Sequence, residues 1–315
     1  MSDKDWAIKT VNLCKSFGTF QALKNLNLEV APNSVYGFLG PNGSGKTTTI
    51  RLLTGLSNPT SGQSLIMGYN SSDRSLQARR LIGYLPDVPS FHNYMSGLEY
   101  LIFCGQLSGY TYDEAKKEAY IQLERTNLAD AALRKTGGYS RGMKQRLGLA
   151  ASLIGDPQVL FLDEPVSALD PIGRAEVLAV VRQLKESKTI FLSTHILSDV
   201  ERICDKVGII HHGQMIVSNT VKELKNNYAQ NRFILRFAQD PSVFLPQIKA
   251  QTWCEEASVN RNEDGQMIMV VKAKNVQAAQ ENLPKIAVQA GCILLHYEIV
   301  EPSLEEIFIE LAGVN

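Results

Sequence analysis

The chain has 315 residues, of which 44% are apolar and 20% charged, with Lys plus Arg and Asp plus Glu balanced at 32 each. That length suits two domains, one of them large, and that composition suits a globular protein with a sizeable core. A balanced charge removes the simplest case for a nucleic-acid partner, and none is expected. Five scattered cysteines (Cys14, Cys104, Cys204, Cys254, Cys292) form no C-x-x-C pair. Neither a disulfide framework nor a zinc site is therefore expected, and a reducing compartment fits. The opening MSDKDWAIKT is polar and carries acids, unlike a secretory signal. No run of about 18 apolar residues occurs, so no membrane crossing is expected of this chain.

Up to about residue 218, short apolar runs alternate with helical periodicities, the pattern of an α/β domain. The runs 34–39, 159–162, 189–193 and 207–210 are short, apolar and bounded by turn residues, which predicts buried strands. Between about 96 and 135 strand signals vanish and helical periodicity takes over, which predicts a helical subdomain covering about 88–150. After about 221 the pattern changes again. Phe233, Leu235 and Phe237 alternate with outward positions as in a half-buried strand. A helix is predicted from about Pro241, a strand near 254–260, a hairpin turn at Asp264-Gly265 and a strand over 267–272. A second helix follows over 276–290 with Pro284 inside it, then a strand over 292–299 and a short helix over 304–311. The order β-α-β-β-α-β matches a ferredoxin-like split unit. The sequence thus predicts an α/β domain over 1–220 and a smaller α+β domain over 221–315.

The strongest local motif is Gly40, Pro41, Asn42, Gly43, Ser44, Gly45, Lys46, Thr47, which fits G-x-x-x-x-G-K-[ST] between an apolar run and a helical stretch that starts at Thr48. Glycines let backbone N–H groups curl around a phosphate without Cβ clashes, and a helix N-terminus adds partial positive charge. In such a loop Lys46 reaches the β- and γ-phosphates and the Thr47 hydroxyl can coordinate Mg²⁺. Further along, the apolar run 159–162 ends in Asp163-Glu164-Pro165. Asp163 then suits Mg²⁺ held through water, and Glu164 suits a proton acceptor that orients the attacking water. An isolated Asp-Glu pair is more often a solvated strand end; the apolar strand, the phosphate loop and the following Ser167-Ala-Leu-Asp170 favour the catalytic role. His195 follows the predicted strand 189–193, at the strand end where open α/β sheets place their ligand crevice. There it could donate to a γ-phosphate or to water. His92, His211, His212 and His296 lack metal-ligand spacing and are expected to be structural.

Together these residues resemble the nucleotide-binding domain of an ABC transporter, a P-loop NTPase fold with a helical subdomain, over about two-thirds of the chain. The phosphate loop is similar to Walker A, Asp163-Glu164 to Walker B with its catalytic glutamate, Ser167-Ala-Leu-Asp170 to the D-loop, and His195 to the switch histidine. The resemblance places Phe17, in Lys15-Ser-Phe-Gly, where an aromatic stacks on adenine, a job that needs only a π face. Tyr139-Ser-Arg-Gly-Met is similar to the family's signature. Ser140 is a good N-cap for a helix whose apolar face is Leu147, Ala150, Ala151 and Ile154. In the family that helix start offers its N–H groups, with Ser140 and Gly142, to ATP held by a partner subunit's P-loop.

Two motifs depart from the family pattern. Arg141 and Met143 stand for a Gly and a Gln in the signature. Asp87, after Leu81-Ile-Gly-Tyr-Leu-Pro, stands where a metal- and coupling-linked Gln is usual. An aspartate still accepts bonds from metal-bound water but adds charge beside ATP. The signature, the helical insert and the tail Val300-Glu-Pro-Ser-Leu-Glu-Glu-Ile-Phe resemble the branch of antibiotic, drug and polysaccharide or lipid exporters that pair with a separate permease. The resemblance implies an ATPase using ATP and Mg²⁺, with Glu164, His195 and Lys46 catalytic and Thr47, Asp87 and Asp163 at the metal. It also implies a homodimer or paired ATPase subunit, an integral membrane permease as partner, and a cytoplasmic place on the inner face of the membrane. A soluble ABC ATPase acting on nucleic acid or ribosomes is the alternative, but such proteins carry tandem copies, long coiled-coil inserts or basic tracts. A kinase or GTPase is disfavoured by the signature and by the missing guanine-reading element.

Overall fold

The computed structural model describes residues 6–72, 76–167, 169–228, 231–261, 266–300 and 302–312. They fall into two compact units that divide between Val221 and Lys222. In chain order the first holds β1 (Ile8–Phe17), β2 (Phe20–Val30), β3 (Val35–Leu39), α1 (Lys46–Leu53), β4 (Ser61–Ile66), β5 (Tyr69–Asn70), α2 (Leu76–Arg80) and β6 (Ile82–Leu85). It continues with α3 (Gly97–Leu107), α4 (Tyr112–Arg125), α5 (Arg141–Leu153), β7 (Val159–Asp163), α6 (Pro171–Leu184), β8 (Thr189–Thr194), α7 (Leu197–Ile203), β9 (Lys206–His211) and β10 (Gln214–Thr220). Then come α8 (Val221–Asn227), β11 (Arg232–Phe237), α9 (Leu245–Lys249), β12 (Cys254–Arg261), β13 (Met267–Ala273), α10 (Val276–Gln289), β14 (Leu294–Val300) and α11 (Leu304–Ala312).

A six-stranded sheet in the order β10-β9-β3-β8-β7-β6 forms the centre of the first unit. Every residue of β3, β7 and β8 is buried. Continuous apolar runs are what central parallel strands need, because helices cover both faces. Parallel pairing aligns Leu39 with Thr194 and Asp163 with Ser193, so the C-terminal ends of three strands open at one edge. A second sheet, β2-β1-β4-β5, is antiparallel and is not evident from sequence pattern. Its ladder shifts register at several points, and Asn12 and Asn25 take positive φ of 46° and 49°. Such bulges break the period-two alternation by which a strand is recognised. The helical subdomain packs α3, α4 and part of α5 around Leu101, Ala115, Ala119, Leu123 and Leu147. Capping boxes start α3 and α4: Ser96 with Glu99, and Thr111 with Glu114. Bonds from the Ser96 backbone and Lys135 hold the Glu99 carboxyl down at about 2.

In the second unit the strands run β12-β13-β11-β14, all antiparallel. The first and third strands lie side by side in the middle, the arrangement of a ferredoxin-like split unit. Phe233, Leu235, Phe237, Met269 and Val271 face a core shared with Leu283 and Ile286 of α10. That helix continues through Pro284. The segment expected to be one helix from Pro241 is instead a 3₁₀ turn, Pro241–Val243, followed by the short α9. The turn expected at Asp264-Gly265 lies outside the described residues.

One glycine sets the distance between two functional segments. A Cβ on Gly83 of β6 would sit 2.0 Å from the Ser152 carbonyl oxygen of α5 and 2.6 Å from Leu160 Cδ2. The segment after β6 carries Asp87, and α5 begins just after Ser140. Gly83→Ala is expected to cost roughly 1–3 kcal/mol by overpacking; urea unfolding of the variant should show a lowered midpoint for the first unit.

Candidate active site

The phosphate loop leaves β3 at Gly40, where a Cβ would collide at 2.4 Å with both the Ile210 carbonyl and Ser44 Oγ. Gly43 and Gly45 take φ of 79° and 113°, values that glycine reaches without steric cost. The Ser44 amide bonds Pro41 O at 3.2 Å, and Gly213 N bonds Ser44 O at 2.9 Å, so the loop is fixed at both flanks. The α1 helix starts at Lys46 with no side-chain cap and no acidic residue in its first turn. Its opening N–H groups, which have no carbonyl partner within the helix, therefore point into the loop. Ser44 is buried and its Oγ has no partner, an orphan polar group inside the cradle. The Lys46 ammonium, 7% exposed, donates to Gly40 O at 2.8 Å and Pro41 O at 3.4 Å.

Opposite the loop stands the end of β7. Asp163 is 1% exposed and its Oδ1 accepts from Ser193 Oγ at 2.5 Å. The Glu164 backbone takes φ 49°, left-handed and strained for a side chain of this size, at a cost of about 1–3 kcal/mol. Its N–H is held there by Ser193 O at 3.0 Å and Ser193 Oγ at 3.2 Å. The turn throws the Glu164 carboxylate between two basic groups: Lys46 Nζ at 3.5 Å from Oε1, and His195 Nδ1 at 2.9 Å from Oε2. A ring nitrogen facing a carboxylate carries the proton. A neutral His195 therefore leaves Nε2 as an acceptor. To donate to a phosphate oxygen the ring must be imidazolium, or Nδ1 must leave Glu164.

Phe17, Asn42, Gly43, Gly45, Lys46, Thr47, Thr48, Asp87 and Glu164 line one cleft of about 340 Å³, joined by Phe20 and Ala22. Phe17 is 56% exposed and thus not a core residue. It pairs with Phe20 across the β1–β2 hairpin, and Lys15 Nζ lies 5.0 Å from its ring centre. Thr47 is exposed on the lining of the same cleft. Asp87, also exposed, accepts from Ser167 Oγ at 3.3 Å, which ties the segment after β6 to the turn after β7. Beneath them, burial and the nearby Asp163 push the Tyr84 phenol up. Phe20 and the bracing role of Ser193 were not singled out by sequence, whereas Ser167 opens the Ser167-Ala-Leu-Asp170 motif that was. A Phe on each side of a Gly-Thr turn signals paired aromatics at Phe20; nothing in the local pattern marks Ser193.

Ser140 and Gly142 line a different cleft, of about 460 Å³, with Arg141, Arg146, Leu169, Asp170, Ile172, Gly173 and Glu176. Ser140 caps α5 by accepting from Met143 N at 3.2 Å. Capping uses a lone pair of the hydroxyl and leaves its proton free to donate. A Cβ on Gly142 would meet nothing closer than 3.5 Å, so that backbone is open to an approaching group. Asp170 is occupied in capping α6, and Glu176 pairs with Arg146 at 3.0 Å. The cleft therefore keeps Arg141 and the helix start as its positive face.

Comparison with known proteins gives one consistent picture. The ABC transporter family pattern matches residues 23–167, and that of the DrrA1-3-like ATP-binding protein C-terminal domain matches 220–312. The chain is 36% identical over 311 residues to the bacitracin transport ATP-binding protein BcrA of Bacillus licheniformis, covering 97% of each. It is 33% identical to the daunorubicin/doxorubicin resistance ATP-binding protein DrrA of Streptomyces peucetius, over 98% of this chain and 92% of that one. An ATP-binding subunit of an ABC transporter superposes with a TM-score of 0.65 at 26% identity, over 70% of this chain and 93% of that one. A dimeric ATP-binding cassette carrying ADP and Pi gives 0.63 at 25% identity, over 68% and 98%. The phosphate loop, the braced glutamate and these matches along the whole chain make it a member of the ABC transporter family of ATP-binding proteins.

Proposed function

We propose that this chain is the ATP-hydrolysing subunit of an exporter, acting as a pair of copies docked on a separately encoded membrane permease. One observation carries the pairing: the residues suited to hold ATP and the residues suited to close on its γ-phosphate line two separate clefts of one chain. A two-fold dimer brings the cleft of Lys46 in each copy against the cleft of Ser140 in the other. The dimeric cassette with ADP and Pi is consistent with that arrangement. The names of the relatives support an antibiotic or drug as cargo, chosen by the permease. Among the described residues no helix is long and apolar enough to cross a membrane. A cytoplasmic subunit held peripherally at the inner membrane face through the permease fits this picture.

In the mechanism, the Phe17 face carries adenine, and the 40–47 loop N–H groups with the orphan Ser44 hydroxyl take the phosphates. Lys46 leaves the loop carbonyls for the phosphate oxygens. Glu164 orients water and accepts its proton, while His195 braces the carboxylate. Ser140 and Gly142 of the other copy donate to the γ-phosphate and lock the pair. Among the described residues no three His, Cys, Asp or Glu side chains converge as a metal cage. One hydroxyl (Thr47) and two carboxylates (Asp163, Asp87) instead suit Mg²⁺, which keeps water and substrate phosphates in its shell. When bound it supplies charge neutralisation at those phosphates.

Three outcomes test these assignments. Glu164→Gln should bind ATP normally, lose at least about a hundredfold in kcat, and run as a dimer with ATP on a sizing column; normal turnover would remove Glu164 from its role. Gly142→Asp places a carboxylate where the γ-phosphate should lie. ATP should still bind, and in the Glu164→Gln background the ATP-dependent dimer peak should disappear. Asp87→Asn removes a charge beside the metal, so the Mg²⁺ concentration for half-maximal ATPase activity should rise roughly tenfold.

A further inference from the structure

The helix that follows Asp170 and the helix that follows His195 are fastened together by one buried ion pair. Arg174 lies in the first turn of α6, and Asp199 lies in the first turn of α7. The guanidinium Nε of Arg174 is 2.8 Å from both oxygens of Asp199, and its Nη2 lies 2.7 Å from Oδ1. Nη2 also donates to Ser198 Oγ at 3.0 Å. The Asp199 carboxylate is 1% exposed, whereas the arginine reaches it from the surface side with 32% of its side chain accessible. A planar fork that meets a carboxylate at several points fixes direction as well as distance, which a lysine does not.

At this end α7, unlike α6, has no side-chain cap of its own. Only seven residues long, it has Ile196 at its N-cap position. His195 is the single residue between Thr194, the last of β8, and Ile196. Thr194 Oγ1 accepts from Ile196 N at 3.0 Å, and Asp199 N bonds Ile196 O at 3.3 Å. On the other side, Asp170 caps α6 through Gly173 N at 2.8 Å, and Arg174 N bonds Asp170 O at 2.9 Å. Leu169 and Ile196 both pack on the apolar cluster that includes Val177, Leu178 and Val181 of α6. A further polar link between the helices, Arg182 to Arg202 O at 3.4 Å, lies about two turns along α6 from Arg174.

We propose that Arg174 is a positioning residue for ATP hydrolysis: through Asp199 it fixes the His195 turn against the segment that ends at Asp170. The inference rests on the reading of His195 as the brace of Glu164, at 2.9 Å. Arg174 touches neither residue, so its effect on turnover must pass through His195. It also makes the placement of His195 answer to any movement of residues 167–170, which border the cleft proposed to receive the other copy.

The test is a cycle of four full-length proteins: unaltered, R174K, H195A and the double variant, each assayed for ATP affinity and for kcat. R174K keeps the charge next to Asp199 but loses the fork. It should bind ATP within about twofold of the unaltered chain and lose roughly ten- to a hundredfold in kcat. In the H195A background the same change should leave the residual kcat untouched, because the group it positions is gone. An equal loss in both backgrounds, or a lower melting temperature with unchanged kcat, would overturn the proposal. Should R174K fail to fold, R174M combined with D199N removes both charges and is expected to give the same pattern. Full activity of H195A would instead remove the role of His195 itself, a distinct result.

Discussion

Parallel pairing of β3, β8 and β7 is the constraint from which the site follows. Strands in one parallel register end at the same edge, so the phosphate loop after β3, the His195 turn after β8 and the carboxylates at the end of β7 arrive together. Between the last two stands Ser193, paired with Asp163 in register. Its hydroxyl gives its proton to the Asp163 carboxylate and accepts the Glu164 N–H, while its carbonyl takes the same N–H. One buried side chain thereby fixes a metal-suited carboxylate and forces its neighbour into a left-handed turn. Without that turn the Glu164 carboxylate would continue in the strand direction and miss Lys46 and His195.

The energetic balance at this edge favours a site that stays assembled. A carboxylate pinned between an ammonium and an imidazole carries little freedom, and the backbone strain at Glu164 is offset by two bonds to its amide. The same economy appears at α5, where one serine starts the helix and still has a proton to give. Arg174 adds a third fixture, reaching a carboxylate buried under the His195 turn. Each device acts through a few short polar contacts set on strands whose apolar side chains are fully buried.

Much of this was legible in the residues. Central strands announced themselves as unbroken apolar runs, and Gly40, Gly43, Gly45 and Lys46 marked the phosphate loop because only glycine tolerates those dihedrals and contacts. The helical subdomain and the β-α-β-β-α-β order of the second unit were equally visible in periodicity. The β1–β2 hairpin was not, since bulges at Asn12 and Asn25 scramble its alternation, and with it went Phe20. Ser193 and Arg174 escaped for another reason: their partners, at Asp163, Glu164 and Asp199, are brought near only by the fold. Nor could spacing reveal that Lys46 rests on the Gly40 carbonyl, or that Ser140 and Lys46 line separate clefts.

The Ser140 cap carries a genetic consequence. Aspartate would start α5 about as well as serine does, so such an exchange would leave a folded, soluble chain with an intact phosphate loop. Its carboxylate, however, would have no proton for a phosphate and would repel one. In the proposed pair the fault would then be expressed in the neighbouring copy, whose bound ATP Ser140 is proposed to clasp. In a cell making both forms, unaltered subunits would be drawn into mixed pairs that carry one spoiled site. A change at position 140 is therefore expected to behave as a dominant poison, where one that unfolds the chain would be silent beside a good copy.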